Sequence, residues 1–302
     1  MRRWYAVDWL VAGYATFVAG LAVVCAIPQA PLLVAAHATL VAGMWWLPPR
    51  GASWESPRPG DSRGRARLRV IARFLRYTYP ALLLTPFFEE VTLTVNAVAP
   101  EQPYWFEPYL IAADRALFGG TPAAMLSQGG NVVLDEIMHG FYLSYYFLIT
   151  AGIVRAWRGP VRGRPTPGAG FHTAFTGMML GFILSFVCYP FLPARGPWEH
   201  AALVGGLRPF EGWVFTPAIE MIIAGAAVSG GCLPSAHVSG TWALTFGLFP
   251  HHRRAARWWA VMALGLSVAC VYTRYHHVLD VVAGVTVAAI AAFAASRLRR
   301  AS

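Results

Sequence analysis

The sequence contains no lysine, and charge of either sign is scarce: only 13% of its 302 residues are charged. Soluble domains carry about 25%, so a soluble globular fold is excluded. Cysteine is also sparse. Cys25, Cys188, Cys232 and Cys270 show no C-x-x-C spacing. Three of them lie in or at the ends of apolar runs, where a small buried thiol needs no further role. Cys232 lies outside those runs and is open to a disulfide, whose partner the sequence does not name. No internal repeat is present. No Gly-x-Ser-x-Gly occurs either, which argues against an intramembrane serine protease.

What is abundant is apolar sequence, 57% of the chain. It comes in runs of about 17–25 residues, the length that crosses a hydrocarbon core of about 30 Å. Eight candidate spans fall at 7–27, 31–47, 77–98, 137–157, 171–192, 234–249, 258–273 and 278–295. The first follows Arg2 and Arg3, as a secretory signal would. It lacks a small-x-small cleavage site and is longer than a signal core, so it is read as a span. The expected fold is an all-α polytopic membrane bundle.

The net charge of +10 invites a nucleic-acid reading, but its placement argues otherwise. All 24 basic residues are Arg. Twenty of them fall at the two ends of the sequence and in segments 48–76, 155–170 and 250–257. The intervening segments hold only Arg115, Arg195, Arg208 and Arg274. This alternation is the positive-inside pattern. It places both termini in the cytoplasm and leaves no basic stripe for a nucleic acid; with the bacterial look of the composition, the expected location is a bacterial plasma membrane.

The chain divides into two leading spans (1–48), a cytoplasmic linker (49–76) and a six-span core (77–302). Pro, Gly, Ser and Arg dominate 48–69, which reads as flexible and able to lie on anionic lipid. Two long outer segments remain. Segment 99–136 is read as carrying an interfacial helix. Segment 193–232 contains the apolar run 213–227, read as a lid or re-entrant element.

Candidate chemistry collects at the outer face. His276 and Asp280 are spaced i, i+4, which places them on one face of a helix that starts the last span. A carboxylate there fixes the imidazole tautomer and makes the other ring nitrogen a better nucleophile. Pro234 suits a first helical turn. The amides of Ser235, Ala236 and His237 would then face an anion, with the Ser235 hydroxyl as a further donor. Each motif alone is also compatible with an ordinary helix start. Two spans joined by His251-His252-Arg253-Arg254 separate the motifs, and such a hairpin returns both to one face. Arg195 and Arg274 lie on that same face, and guanidinium groups match phosphate oxygens bidentately. Glu89 and Glu90 in the third span, with Asp135, Glu136 and His139 at the start of the fourth, are candidates for a headgroup or acceptor pocket. Packing between helices is the competing reading for these acids. Tyr142, Tyr145, Tyr146 and Phe147 read as packing and interface belt.

Pro234-Ser235-x-His237 and His276-x-x-x-Asp280 resemble two signature motifs of the type 2 phosphatidic acid phosphatase superfamily. These phosphatases and transferases are related to vanadium haloperoxidases. Arg274-Tyr275-His276 before Val278-Leu279-Asp280 is most similar to the branch containing inositol phosphorylceramide synthase. Asp114-Arg115-x-x-Phe118-Gly119-Gly120-x-Pro122 and Pro193-Ala194-Arg195-Gly196-Pro197 resemble bacterial members of that branch. The likeness runs from Tyr77 onward. It departs from the superfamily at two places. No Lys precedes Arg195-Gly196-Pro197, and Cys270 stands where the third motif often has Arg.

The resemblance implies a membrane enzyme acting on a phospholipid or isoprenoid phosphate. His276 would attack phosphorus to give a phosphohistidine, and Asp280 would orient it. His237 would protonate the leaving oxygen and then activate water or a lipid alcohol. Arg195, Arg274 and Ser235 would hold the phosphate oxygens. This scheme requires no metal or cofactor. His277, three residues before Asp280, is the rival nucleophile. A headgroup transferase of the inositol phosphorylceramide synthase type is the alternative acceptor choice, and a non-enzymatic lipid carrier is the alternative of another class. A metalloenzyme with His237, His276, His277 and Asp280 as ligands is a third reading.

Overall fold

The structure is a computed structural model that describes residues 4–47, 58–100, 102–158, 167, 169–226 and 228–301. It is 75% helical, and no strand occurs among the described residues. Two leading helices, α1 (Ala6–Val24) and α2 (Ala30–Trp46), precede a broken segment of α3 (Arg63–Leu82), α4 (Leu84–Glu89) and α5 (Val91–Val98). Next come α6 (Glu107–Phe118), α7 (Pro122–Gln128), α8 (Val132–Trp157), α9 (Ala169–Cys188) and α10 (Phe215–Ala226). The chain closes with α11 (Ala236–Leu248), α12 (Arg253–Tyr272) and α13 (Val278–Ala301).

Among the described residues, five helices are long and apolar enough to cross a membrane: α1, α8, α9, α12 and α13. The broken segment, bent by 45° between Glu89 and Val91, makes a sixth if it is one span. Bulky apolar side chains such as Trp9, Trp46, Phe147, Trp258 and Phe293 stand exposed on the outside. An outward apolar surface of this kind suits lipid, and the chain is an integral membrane protein.

Eight spans therefore overstate the number of long helices. The expected sixth span is the 13-residue α11, only about 20 Å long at 1.5 Å per residue. Its length is explained by its position. It is buried along nearly its whole course, enclosed chiefly by α9 and α13. Close approach makes this possible. A Cβ at Gly247 would strike the Ala174 backbone of α9, and one at Gly284 of α13 would crowd the Ser235 carbonyl. Ser185 and Ser239 bond across the α9–α11 contact at 2.8 Å. Small residues and interhelical hydroxyls are the usual means of packing helices in lipid.

The linker expectation also needs correction. Residues 48–57 lie outside the described residues, but 63–76 are helical, as the first part of α3. The Ser62 hydroxyl accepts from the Arg65 amide at the helix start. The Arg, Ala and Leu that follow are good helix formers. Pro80 and Pro86 lie where α3 gives way to α4, as a missing amide and a ring clash require.

The leading pair is fastened to the rest by polar contacts. Tyr79 donates to Asp8 at 2.7 Å, and His37 faces Glu90 at 3.2 Å. In segment 99–136 the structure has α6 and α7, two short helices rather than one. The apolar run 213–227 holds α10, which packs on α8. Four successive amides, Trp213 to Phe215 and Thr216, donate to the Glu136 carboxylate at 2.7–3.2 Å. One acid on α8 thus caps the whole N-terminal turn of α10.

Candidate active site

The two histidine-bearing stretches meet at one end of α11. Pro234 precedes the helix rather than opening it, and Ser235 is the N-cap, its hydroxyl facing the Val238 amide at 3.4 Å. The Ser235 amide donates to the Asp280 carbonyl at 3.0 Å, so one motif is bonded to the other through backbone. After α12 the chain turns sharply. Arg274 takes a left-handed conformation, φ +68°, and the His276 amide returns to the Cys270 carbonyl at 3.0 Å. A non-glycine residue with positive φ carries a backbone cost, which here accompanies the folding of His276 back over the end of α12.

His276 therefore lies in the turn before α13, and Asp280 in the first turn of that helix. Their contact, Nδ1 to Oδ2, is 3.6 Å. The Cys232 thiol fills the shorter positions beside both groups, 2.9 Å from Asp280 Oδ2 and 3.2 Å from His276 Nδ1. The His277 amide donates to Asp280 Oδ2 at 2.7 Å. With Nδ1 engaged on that side, Nε2 faces the Ser235 hydroxyl at 3.0 Å.

His237 sits across from this group, its ring centroid 5.9 Å from that of His276. Tyr145 packs edge-on against it at 4.6 Å, and the Tyr142 hydroxyl lies 3.3 Å from its Nε2. Both imidazoles line a cavity of about 530 Å³ with walls of Phe182, Phe186, Leu143 and Ile222. An apolar cavity of that size with a few convergent polar groups is the usual form of a small-molecule site. Glu89, Glu199 and Tyr275 also line it. Burial holds the Glu199 carboxyl up at about 7, against a pull downward from the Gly196 amide and the Arg195 guanidinium.

Of the remaining candidates, Glu89 reaches the cavity and the others do not. Glu90 turns to His37. The Arg195 guanidinium lies over the Trp105 ring at 4.0 Å and donates to the carbonyls of Gln102 and Pro103. Arg274 lies over Phe210 at 3.8 Å and bonds Ser127 and the Arg208 carbonyl. Burial lowers its pKa to about 10. Neither guanidinium lines the cavity, and each is bonded to acceptors from distant parts of the chain. Asp135 accepts from both terminal nitrogens of Arg208, at 2.9 and 2.6 Å, and from Tyr272 at 2.6 Å. His139 is enclosed beside it, 2.7 Å from the Asp135 carbonyl. His277 turns away from the cavity toward Asp114, 3.5 Å distant.

Three residues at the site carried no functional assignment from sequence: Cys232, Glu199 and Tyr142. Cys232 stands only two residues before Pro234, and that proximity was its one available signal. It is a free thiol, as are the other three cysteines. What places it is a short parallel bridge between Ala194 and Gly231, in which the Cys232 amide donates to the Ala194 carbonyl at 3.2 Å. Glu199 follows Arg195-Gly196-Pro197 in a 3-10 turn at Pro197–His200, a connection invisible before the fold is known.

No curated protein and no solved structure matches the chain. A family model does, that of the PAP2 superfamily, over residues 108–294. The match takes in both histidine motifs, the cavity walls contributed by α8 to α11, and well over half of the sequence. The chain therefore belongs to the PAP2 superfamily, whose members are phosphoesterases or phosphotransferases.

Proposed function

We propose that this protein is a membrane lipid phosphatase or phosphotransferase that works through a phosphohistidine at His276, on a phospholipid or isoprenoid phosphate. The observation that carries this reading is the shared cavity. Two imidazoles from separate motifs line one apolar chamber, one of them backed by a carboxylate and a thiol.

In the first step the lone pair of His276 Nε2 attacks phosphorus, and the ester P–O bond breaks. His237 gives its proton to the leaving lipid oxygen. In the second, water or a lipid alcohol attacks the phosphohistidine, the P–N bond breaks, and His237 takes the incoming proton. General acid–base help of this kind contributes about 10²–10⁴ in rate. Asp280 holds the imidazole and offsets its positive charge. The Ser235 hydroxyl and the N-terminus of α11 favour the phosphoryl oxygens there. Arg195 and Arg274 act as buttresses through their present partners, and either would contact phosphate only after leaving them. No step is routed through a metal. The active site faces the non-cytoplasmic side, on the strength of the arginine distribution.

Transfer to a lipid alcohol is the second reading, favoured by the apolar cavity walls and by the Arg274-Tyr275-His276 similarity to the inositol phosphorylceramide synthase branch. The test is purified protein in vesicles with a panel of labelled lipid phosphates, with and without lipid alcohols. Label leaving as free phosphate identifies a phosphatase. Label appearing on a second lipid identifies a transferase. Label that stays on every lipid offered, in the presence and absence of acceptor, contradicts both and favours a carrier.

A further inference from the structure

We propose that Cys232, His276 and Asp280 form a binding site for a divalent cation of the zinc class, and that the cation, once bound, holds the enzyme inactive. The inhibitory part rests on the function proposed above; the binding part does not.

The three donors are a thiol sulfur, an imidazole nitrogen and a carboxylate oxygen, all within 4.8 Å of one another. Their separations are 3.2 Å (Sγ to Nδ1), 2.9 Å (Sγ to Oδ2) and 3.6 Å (Nδ1 to Oδ2). Tetrahedral zinc, with bonds of about 2.0–2.3 Å, sets its ligands roughly 3.4–3.6 Å apart. The cluster needs only a small outward shift of the thiol to fit. Sulfur and imidazole together select zinc-like ions over magnesium or calcium, which take oxygen ligands.

Two further observations point to a ligand. Asp280 is fully buried, and its Oδ1 has no hydrogen-bond partner among the described residues. The cluster also borders the cavity, since Cys232 and His276 are among its lining residues. Three protein ligands beside a cavity leave a fourth position for water or another ligand, as accessible zinc sites do. Outer support is present as well, because the His277 amide donates to the same Asp280 oxygen that would bind the ion, as such carboxylates require.

Binding would replace the thiol proton, which leaves to solvent. His276 would give its Nδ1 lone pair to the metal, and its ring proton would then reside on Nε2. That nitrogen would no longer hold a lone pair for phosphorus. The cation thus competes for the electrons and the tautomer on which attack depends.

The test uses the full chain in detergent with Co2+ alone as a spectroscopic probe, followed by Zn2+ titration of lipid-phosphate turnover. The expected result is one Co2+ per chain with a thiolate-to-metal charge-transfer band that Zn2+ displaces. Cys232→Ser keeps a hydrogen-bond donor beside Asp280 and should lose the band, with Cys232→Ala as a second variant. Cys188→Ala should keep it. Each variant's turnover is read against its own metal-free rate. Zn2+ should inhibit the wild type reversibly with chelator, and Cys232→Ser should need at least 10–100-fold more. Absence of Co2+ binding, or a band that survives in both Cys232 variants, overturns the site. An intact site with turnover unchanged or raised by Zn2+ overturns the inhibition. A band lost on Cys232 substitution in a protein with no phosphoryl-transfer activity supports the site and defeats the proposed function instead.

Discussion

Ser235 Oγ lies 3.0 Å from Nε2 of His276, a bond between residues 41 apart in the chain. It identifies Nε2 as the ring nitrogen on the Ser235 side, with Nδ1 turned to Cys232 and Asp280. A hydroxyl at that point can pass from the resting imidazole to a phosphoryl oxygen. Ser235→Ala should lower kcat by about 10–100-fold, the worth of a hydrogen bond to a charged group. Steady-state kinetics in vesicles reads this, and an unchanged kcat removes Ser235 from the reaction.

Asp280 is expected to matter through His276. Asp280→Asn should reduce turnover by about 10²–10⁴, with His276→Ala falling to background. His277→Ala should retain measurable turnover, because that ring faces Asp114 rather than the cavity. Equal loss in His276→Ala and His277→Ala would leave the two imidazoles undistinguished.

Glu199 gives the site a pH dependence. Its pKa is raised from 4.5 to about 7 by burial, with Glu107 adding to the rise and Arg195 opposing it. Above that pH an anion shares the cavity with an anionic substrate. KM should therefore rise as pH passes through about 7, and Glu199→Gln should flatten the profile. The same shift bears on folding. Between pH 4.5 and 7 the folded protein holds a proton that the unfolded chain has released, so stability falls as pH rises through that window. Thermal unfolding across it should show the slope in the wild type and a weaker one in Glu199→Gln.

Glu136 is expected to be structural. Its carboxylate takes the whole first turn of α10. Glu136→Ala strands those amides and should cost about 3 kcal/mol, seen as a lower Tm. It should also weaken substrate binding, because Ile222 and Ile223 of α10 form cavity wall. Glu136→Gln should fall between. An unaltered Tm in Glu136→Ala would contradict the clamp.

The sequence made much of this legible where the signal was local. Apolar run length marks the long helices, and the spacing within each motif singles out Ser235, His237, His276 and Asp280, which the fold brings together at one end of α11. The same spacing misleads on detail. His276 and Asp280 read as one helix face, whereas the left-handed Arg274 places His276 in a turn and leaves room for Cys232 between the two. Run length also misjudges α11, because hydropathy cannot separate a helix that spans lipid from a short one enclosed by others. The fates of Arg195 and Arg274 lay beyond any local pattern. Their partners, Gln102 and Ser127, are 93 and 147 residues away. Asp135 was an intramembrane acid by position alone, and only the fold supplies Arg208 as its counter-ion.

The most direct measurement is to trap the covalent intermediate in His237→Ala. A labelled aryl phosphate has a leaving group that needs no proton, so His276 can still be phosphorylated while breakdown is slowed for want of a base. The account predicts acid-labile, alkali-stable label on His276, absent from the His237→Ala, His276→Ala double variant. Label found on His277, or on no histidine in a variant that still turns the substrate over, would contradict it.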